Sequence, residues 1–124
     1  MSRFVNTLAL LCASTVQIAL AEAAELDGEL VYNNHCRKCH SMKKDDHRLG
    51  PSLYGIVGKK AEQAQEFGNY SGALGGIIWD EATLDKFIAD PTTVSSSTNM
   101  IYPPVKNPAE RTAIIEFMKK SAGQ

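Results

Sequence analysis

Cys36-Arg37-Lys38-Cys39-His40 constrains this chain more than any other five residues in it. Two thiols three residues apart lie one turn apart on a single helical face. The histidine directly behind the second thiol brings an imidazole to the same place. Whatever these three side chains hold is held from one short piece of backbone. The rest of the chain must then be shaped around what sits there.

The N-terminus is set aside from the fold first. Arg3 is its only early charge, and Leu8 to Leu20 is an uncharged, mostly apolar run. That run is too short to span a bilayer as a stable helix. It ends in Ala19-Leu20-Ala21 and Ala21-Glu22-Ala23, both of which fit an A-x-A cleavage pattern. Residues 1–23 therefore read as a cleaved secretory signal peptide. Cleavage after Ala21 and an uncleaved anchor are the alternatives. Cys12 leaves with the signal, so the domain of residues 24–124 keeps only the two cysteines of the motif. A domain this short builds a marginal core, and a large buried cofactor adds apolar contact that side chains alone cannot supply.

Helical signals bracket the chain. Asp27 to His35 opens the domain with helical character, Gly28 and Tyr32 sharing one face at i, i+4. Asp80 is an N-cap for a helix running to Ala89, with Leu84, Phe87 and Ile88 as its apolar stripe and Pro91 as its stop. Pro108 to Ser121 is the last helix, with proline in its first turn and Lys119 and Lys120 at its C-terminal end. Between them the chain is loop-rich. Glycines punctuate residues 41–76, where Tyr70 to Leu74 is one candidate short helix. Thr92 to Pro108 is a second irregular stretch, and a loop that long in a small domain usually has a function. The fold class is all-α: short helices separated by long loops, an arrangement suited to wrapping a flat prosthetic group.

Cys-x-x-Cys-His is the haem c attachment signature. Two thiols one turn apart reach two vinyl positions on one porphyrin edge, and the adjacent His40 presents its imidazole to the iron. Three other readings use the same residues. A thioredoxin-like redox pair wants a βαβ context, which is missing here. A zinc site needs four ligands, and His35, Cys36, Cys39 and His40 are too close in sequence to converge on one tetrahedral centre. A structural Cys36–Cys39 disulfide fits an oxidising compartment.

Four further stretches follow the motif in order: Gly50-Pro51-Ser52-Leu53-Tyr54-Gly55, Phe67-Gly68-Asn69-Tyr70-Ser71, Trp79 with the acidic-started helix behind it, and Thr98-Asn99-Met100. With them, nearly the whole exported chain resembles class I cytochrome c, the soluble mitochondrial-like monohaem branch in an exported bacterial form. The resemblance implies the cytochrome c fold around one haem c, covalently held through Cys36 and Cys39. It implies His40 and Met100 as the iron ligands. The Pro51 carbonyl should accept the His40 Nδ1–H, and Tyr70 and Trp79 should hydrogen-bond the haem propionates. Gly28 and Tyr32 should pack on the last helix near Phe117. Met42, Met118 and His47 are the competing ligands for Met100. Met42 is tied to the proximal segment, Met118 belongs to an apolar stripe, and His47 stands in a charged surface run. The chain departs from the family around the distal ligand. Ser96-Ser97-Thr98-Asn99-Met100 replaces the usual Pro-Gly-Thr-Lys-Met, and Ile101-Tyr102-Pro103-Pro104 replaces a Phe-x-Gly pattern.

The charge pattern bears on partners. Residues 37–60 hold seven Lys and Arg against two Asp, whereas the flanking segments are both net acidic. Positive charge should therefore cluster near the haem edge and steer the protein toward acidic surfaces. The expected role is a single-electron carrier, not an enzyme. Its partners would be larger redox proteins in the periplasm: an oxidase, a cytochrome bc complex or a periplasmic dehydrogenase. A monomer is expected, with no nucleic acid and no small-molecule substrate. The alternative is a haem enzyme or ligand-binding sensor in which the Met100 bond is weak or absent.

Overall fold

The computed structural model describes residues 25–123, so the signal-peptide assignment on residues 1–23 lies outside the described residues. Among the described residues four helices form: α1 Gly28–His35, α2 Glu81–Ala89, α3 Pro91–Val94 and α4 Pro108–Ser121. Each starts where a short polar side chain caps it. Asp27 accepts from the Leu30 amide at 3.1 Å, Asp80 from Thr83 at 2.7 Å, Asp90 from Thr92 at 3.0 Å and Asn107 from Ala109 at 3.0 Å. Those bonds satisfy amides that the first turn leaves without intrahelical partners. Among the described residues no helix is long and apolar enough to cross a membrane.

α1 packs on α4, and α2 packs on both α3 and α4. The α1–α4 crossing is close because Gly28 has no side chain. A Cβ there would lie 2.6 Å from the Ala113 carbonyl oxygen and 2.9 Å from the Phe117 Cβ. Tyr32 continues the contact, its ring centroid 5.2 Å from that of Phe117. Val31, Tyr32, Leu84, Phe87, Ile114, Ile115 and Met118 form the buried centre of this arrangement. The long connection from α1 to α2 is pinned by one antiparallel bridge, Lys60 to Ile78. Ala61 N–H to Ile77 O, Trp79 N–H to Lys59 O and Gly58 N–H to Trp79 O, all 2.8 Å, set the position of Trp79.

Two expectations change. Residues 70–74 form no short helix: the chain is irregular through Ser71, bends at Gly72 and turns over residues 73–76. Gly72 and Gly76 take positive φ of 73° and 86°, which breaks any right-handed run there. Pro91 does stop α2, but it also opens α3 inside the stretch expected to be irregular. Asp90 serves both helices. Its amide closes α2 onto Lys86 O, while its carboxylate caps the Thr92 amide and hydroxyl.

Two outcomes are expected from these contacts. Gly28→Ala forces α1 and α4 apart and should lower the denaturation free energy of the haem-loaded protein by about 1–3 kcal/mol in guanidinium titrations. The Thr83 amide and hydroxyl hold the Asp80 carboxyl below its ordinary range. A depressed carboxyl stabilises the fold above its unfolded value, and that contribution is lost as pH falls through the folded value. Asp80→Asn keeps a cap but cannot titrate, so its acid unfolding curve should lose this part of the pH dependence.

Candidate cofactor site

The turn that follows α1 continues its helical path. The Cys36 amide bonds Tyr32 O at 2.7 Å, and the amides of Cys39 and His40 bond Cys36 O at 3.1 and 3.0 Å. This wrapping puts Cys36, Cys39 and His40 on one wall of a cavity of about 890 Å³. A volume of that size lies in the upper part of the range for cofactor and ligand sites, roughly 300–1,000 Å³.

His40 is 8% exposed. Its Nδ1 donates to the Pro51 carbonyl at 2.7 Å, so Nδ1 carries the proton and Nε2 is a bare lone pair. The residue before Pro51 seats the ring. A Cβ on Gly50 would stand 2.3 Å from the His40 Cε1, 2.7 Å from Nδ1 and 2.9 Å from Nε2. Gly50 is itself held, its amide donating to Cys39 O at 2.8 Å and its carbonyl accepting from the Arg48 amide at 2.9 Å. Burial pulls the His40 imidazole below its ordinary pKa, with the Pro51 bond acting in the other direction. The ring is thus kept neutral, the form in which imidazole binds a metal.

Burial, with Cys39 adding, pushes the Cys36 thiol up to about 12. A dithiol oxidoreductase needs the opposite, a depressed thiolate pKa. Nor do the residues suggest zinc. Among the described residues no three His, Cys, Asp or Glu side chains gather into a metal cluster, and His35 Nε2 turns to Glu110 on α4 at 3.4 Å.

Pro51, Tyr70, Trp79 and Met100 line the same cavity as the motif. Met100 is half-buried against the core, on a loop tied down by Asn99 Nδ2 to Asn69 O at 2.9 Å and by its own amide to Thr98 Oγ1 at 3.3 Å. The Tyr70 hydroxyl accepts the Ala64 amide at 3.0 Å, which leaves its O–H to donate, and burial raises its pKa so that it stays protonated. Trp79 is 6% exposed and packs on Phe87 with centroids 4.8 Å apart.

The rival ligands are otherwise engaged. Met42 packs against the core without lining the cavity. Met118 lines it but is 2% exposed within α4. His47 reaches the cavity with both nitrogens engaged: Nδ1 accepts the Ser52 amide at 3.0 Å and Nε2 donates to Gln65 O at 2.8 Å. It is a clamp between two loops. Sequence reasoning missed that role, and it treated Gly50 only as part of a motif. The signal for Gly50 was its place directly before the proline that receives the histidine.

The sequence matches the family model for cytochrome c over residues 26–122.

The chain belongs to the cytochrome c family.

Its relatives agree. It is 37% identical to cytochrome c2 of Rhodomicrobium vannielii over 122 residues, 94% of this chain and 96% of that protein. It is 39% identical to cytochrome c2 iso-2 of Magnetospirillum molischianum, over 68% of this chain and 88% of that one. Its fold resembles that of cytochrome cH from Methylobacterium extorquens, with a TM-score of 0.69 and 33% identity, covering 76% of this chain and 95% of that one. The protein is an electron-transfer protein of the c type, and Cys36 and Cys39 are the thiols that attach its one covalent haem c. The cavity fits that group. It is large, it is walled by Leu74, Leu84, Phe87, Val105 and Ile114, and both thiols and a bare imidazole nitrogen line it.

Gly50→Ala drives a methyl into the imidazole. The His40–Pro51 bond should break, the yield of low-spin haem protein should fall, and stability should drop by about 1–3 kcal/mol. Absorption spectra and guanidinium titration of the purified variant check both.

Proposed function

We propose that His40 and Met100 are the two iron ligands and that the protein is a diffusible single-electron carrier in the periplasm. The observation that carries this reading is the placement of a buried, tautomer-fixed His40 and a half-buried, tethered Met100 on one cavity. When bound, the haem supplies a one-electron Fe(III)/Fe(II) couple. The chain's own residues do the rest. Pro51 orients His40 and makes it a stronger donor. Met100 brings a thioether, a soft ligand that favours Fe(II) and raises the potential. Tyr70 and Trp79 offer an O–H and an N–H to the haem carboxylates, which need donors in an apolar wall. Apolar residues exclude water from the site.

With His40 and Met100 both holding the iron, it would offer no open position to a substrate, and no general acid, base or nucleophile would be required. The protein then acts as a carrier and not as an enzyme. The enzyme or sensor reading requires Met100 to leave the iron, and the Asn99–Asn69 and Met100–Thr98 bonds hold its loop against that. An export signal over residues 1–23 suits a protein matured outside the cytoplasm. The partners are larger redox proteins, an oxidase, a cytochrome bc complex or a periplasmic dehydrogenase. They would approach the basic residues of segment 37–60, which carries the haem attachment motif.

Met100→Ala tests the ligand. The weak far-red band of a sulfur–iron(III) bond should vanish, the midpoint potential should fall, and the reduced protein should bind carbon monoxide rapidly at neutral pH. A variant with an unchanged spectrum and potential removes Met100 from the iron.

A further inference from the structure

α1 ends and α4 begins at one place, beside the cavity. His35 is the last residue of α1 and directly precedes Cys36, while Glu110 stands in the first turn of α4. The His35 Nε2 lies 3.4 Å from the Glu110 Oε2. His35 also lines the cavity, together with both thiols of the motif. The two side chains keep 27% and 34% of their surface exposed, so a proton reaches the imidazole from water without any movement of the chain.

Few other charges face this ring. A helix favours a cation at its C-terminal end and an anion in its first turn, so the two helix ends suit a His35 cation opposite a Glu110 anion. Among the described residues Glu110 is the only ionic partner of His35 within 4 Å. On α4 the neighbouring Arg111 is turned to Asp85, Val105 O and Lys106 O. Glu116 and Lys119, further along α4, pair with each other, and Lys119 pairs with Glu81. The methionine loop reaches α1 through the Tyr102 hydroxyl, which donates to Asn34 O at 3.4 Å, but residues 91–105 contain no Asp, Glu, Lys, Arg or His. On the chain itself, Asp27 and Glu29 stand at the other end of α1, and Arg37 and Lys38 follow the ring in exposed positions. Histidine is the side chain whose charge changes between about pH 5 and 8. A lysine in this place would make the pair permanent; the histidine makes it conditional.

We infer that His35 is a redox-linked proton site, holding its proton more tightly when the protein is reduced than when it is oxidised. The inference rests on the one-electron reading above. Reduction removes one unit of positive charge from the cavity that His35 lines, so a cation there is repelled less. One electron arrives from a redox donor, one proton arrives from water, and the neutral imidazole becomes an imidazolium opposite the Glu110 carboxylate. Oxidation releases both. Linkage is reciprocal, so the protonated ring raises the midpoint potential. The potential is therefore highest in acid, falls as pH rises through the imidazole titration and levels off above it. Water screens a partly exposed charge, so the two proton affinities should differ by only about threefold. At 59 mV per tenfold that ratio is a fall of about 30 mV.

Two readouts on the haem-loaded protein test this. Voltammetry at fixed ionic strength, across the range of about pH 5 to 8 in which histidine titrates, gives the midpoint potential. NMR of the imidazole protons gives the His35 titration in each oxidation state. The wild-type potential should fall by about 30 mV, and the His35 midpoint should lie about threefold higher in proton affinity in the reduced protein. His35→Gln cannot titrate and should abolish the fall. Glu110→Gln removes the anion opposite the ring and should move the fall to lower pH. A wild-type potential that is flat over this range overturns the inference. So does a fall that survives in His35→Gln, the result expected if His47 or a haem carboxylate were the group. If His35→Gln yields no haem protein, the wild-type NMR titration decides alone, and equal His35 midpoints in the two oxidation states overturn the inference. A protein without a reversible wave at any pH overturns the carrier reading and this inference with it.

Discussion

One helical turn, Cys36 to His40, has to anchor a flat group larger than any side chain, and the other elements are placed by that demand. Covalent attachment fixes the haem to the end of α1. α1 is fixed in turn by the Gly28 crossing onto α4. The imidazole depends on a second piece of backbone, because Gly50 leaves room for the ring and Pro51 O receives its proton. The core is built to the same plan. Leu74, Trp79, Leu84, Phe87, Val105, Ile114 and Met118 belong both to the buried cluster and to the cavity wall. The hydrophobic core of this protein is a shell, and the haem is the packing partner on its inner side.

A shell made largely of loops would be a poor environment for electron transfer if the loops moved. Here they are cross-tied between segments distant in sequence. His47 joins Ser52 to Gln65, Asn99 joins the methionine loop to Asn69, Tyr102 reaches Asn34, and the Lys60–Ile78 bridge positions Trp79. Each bond is worth only about 1 kcal/mol. Together they restrain the loops that line the cavity. The loop around Met100 lacks the Pro-Gly turn usual in the family, and Asn99 and Thr98 supply its restraint by side-chain hydrogen bonds.

Three helix starts were legible because their signals are local: Asp27, Asp80 and Asn107 cap within two or three residues, and Pro108 sits at a first position. α3 was hidden because Asp90 reads as the end of one helix and also begins the next. The bend and turn at residues 72–76 were hidden because a glycine's positive φ is not written in its neighbours. At the site, the motif and the ordered stretches behind it named seven residues that the fold gathers on one cavity. Gly50 and His47 escaped for a different reason. Their importance lies in what touches them, a ring ten residues upstream of Gly50 and a carbonyl eighteen residues beyond His47, and contacts of that kind exist only once the chain has folded.

The most direct test of this account is the absorption spectrum of the matured, exported wild-type protein in both oxidation states. Sharp low-spin bands in each state, with the weak far-red sulfur–iron band in the oxidised one, are the predicted result. A high-spin spectrum would contradict a six-coordinate carrier and point to an open iron. The absence of any haem spectrum after expression with a competent maturation system would contradict the covalent haem on which the fold is built.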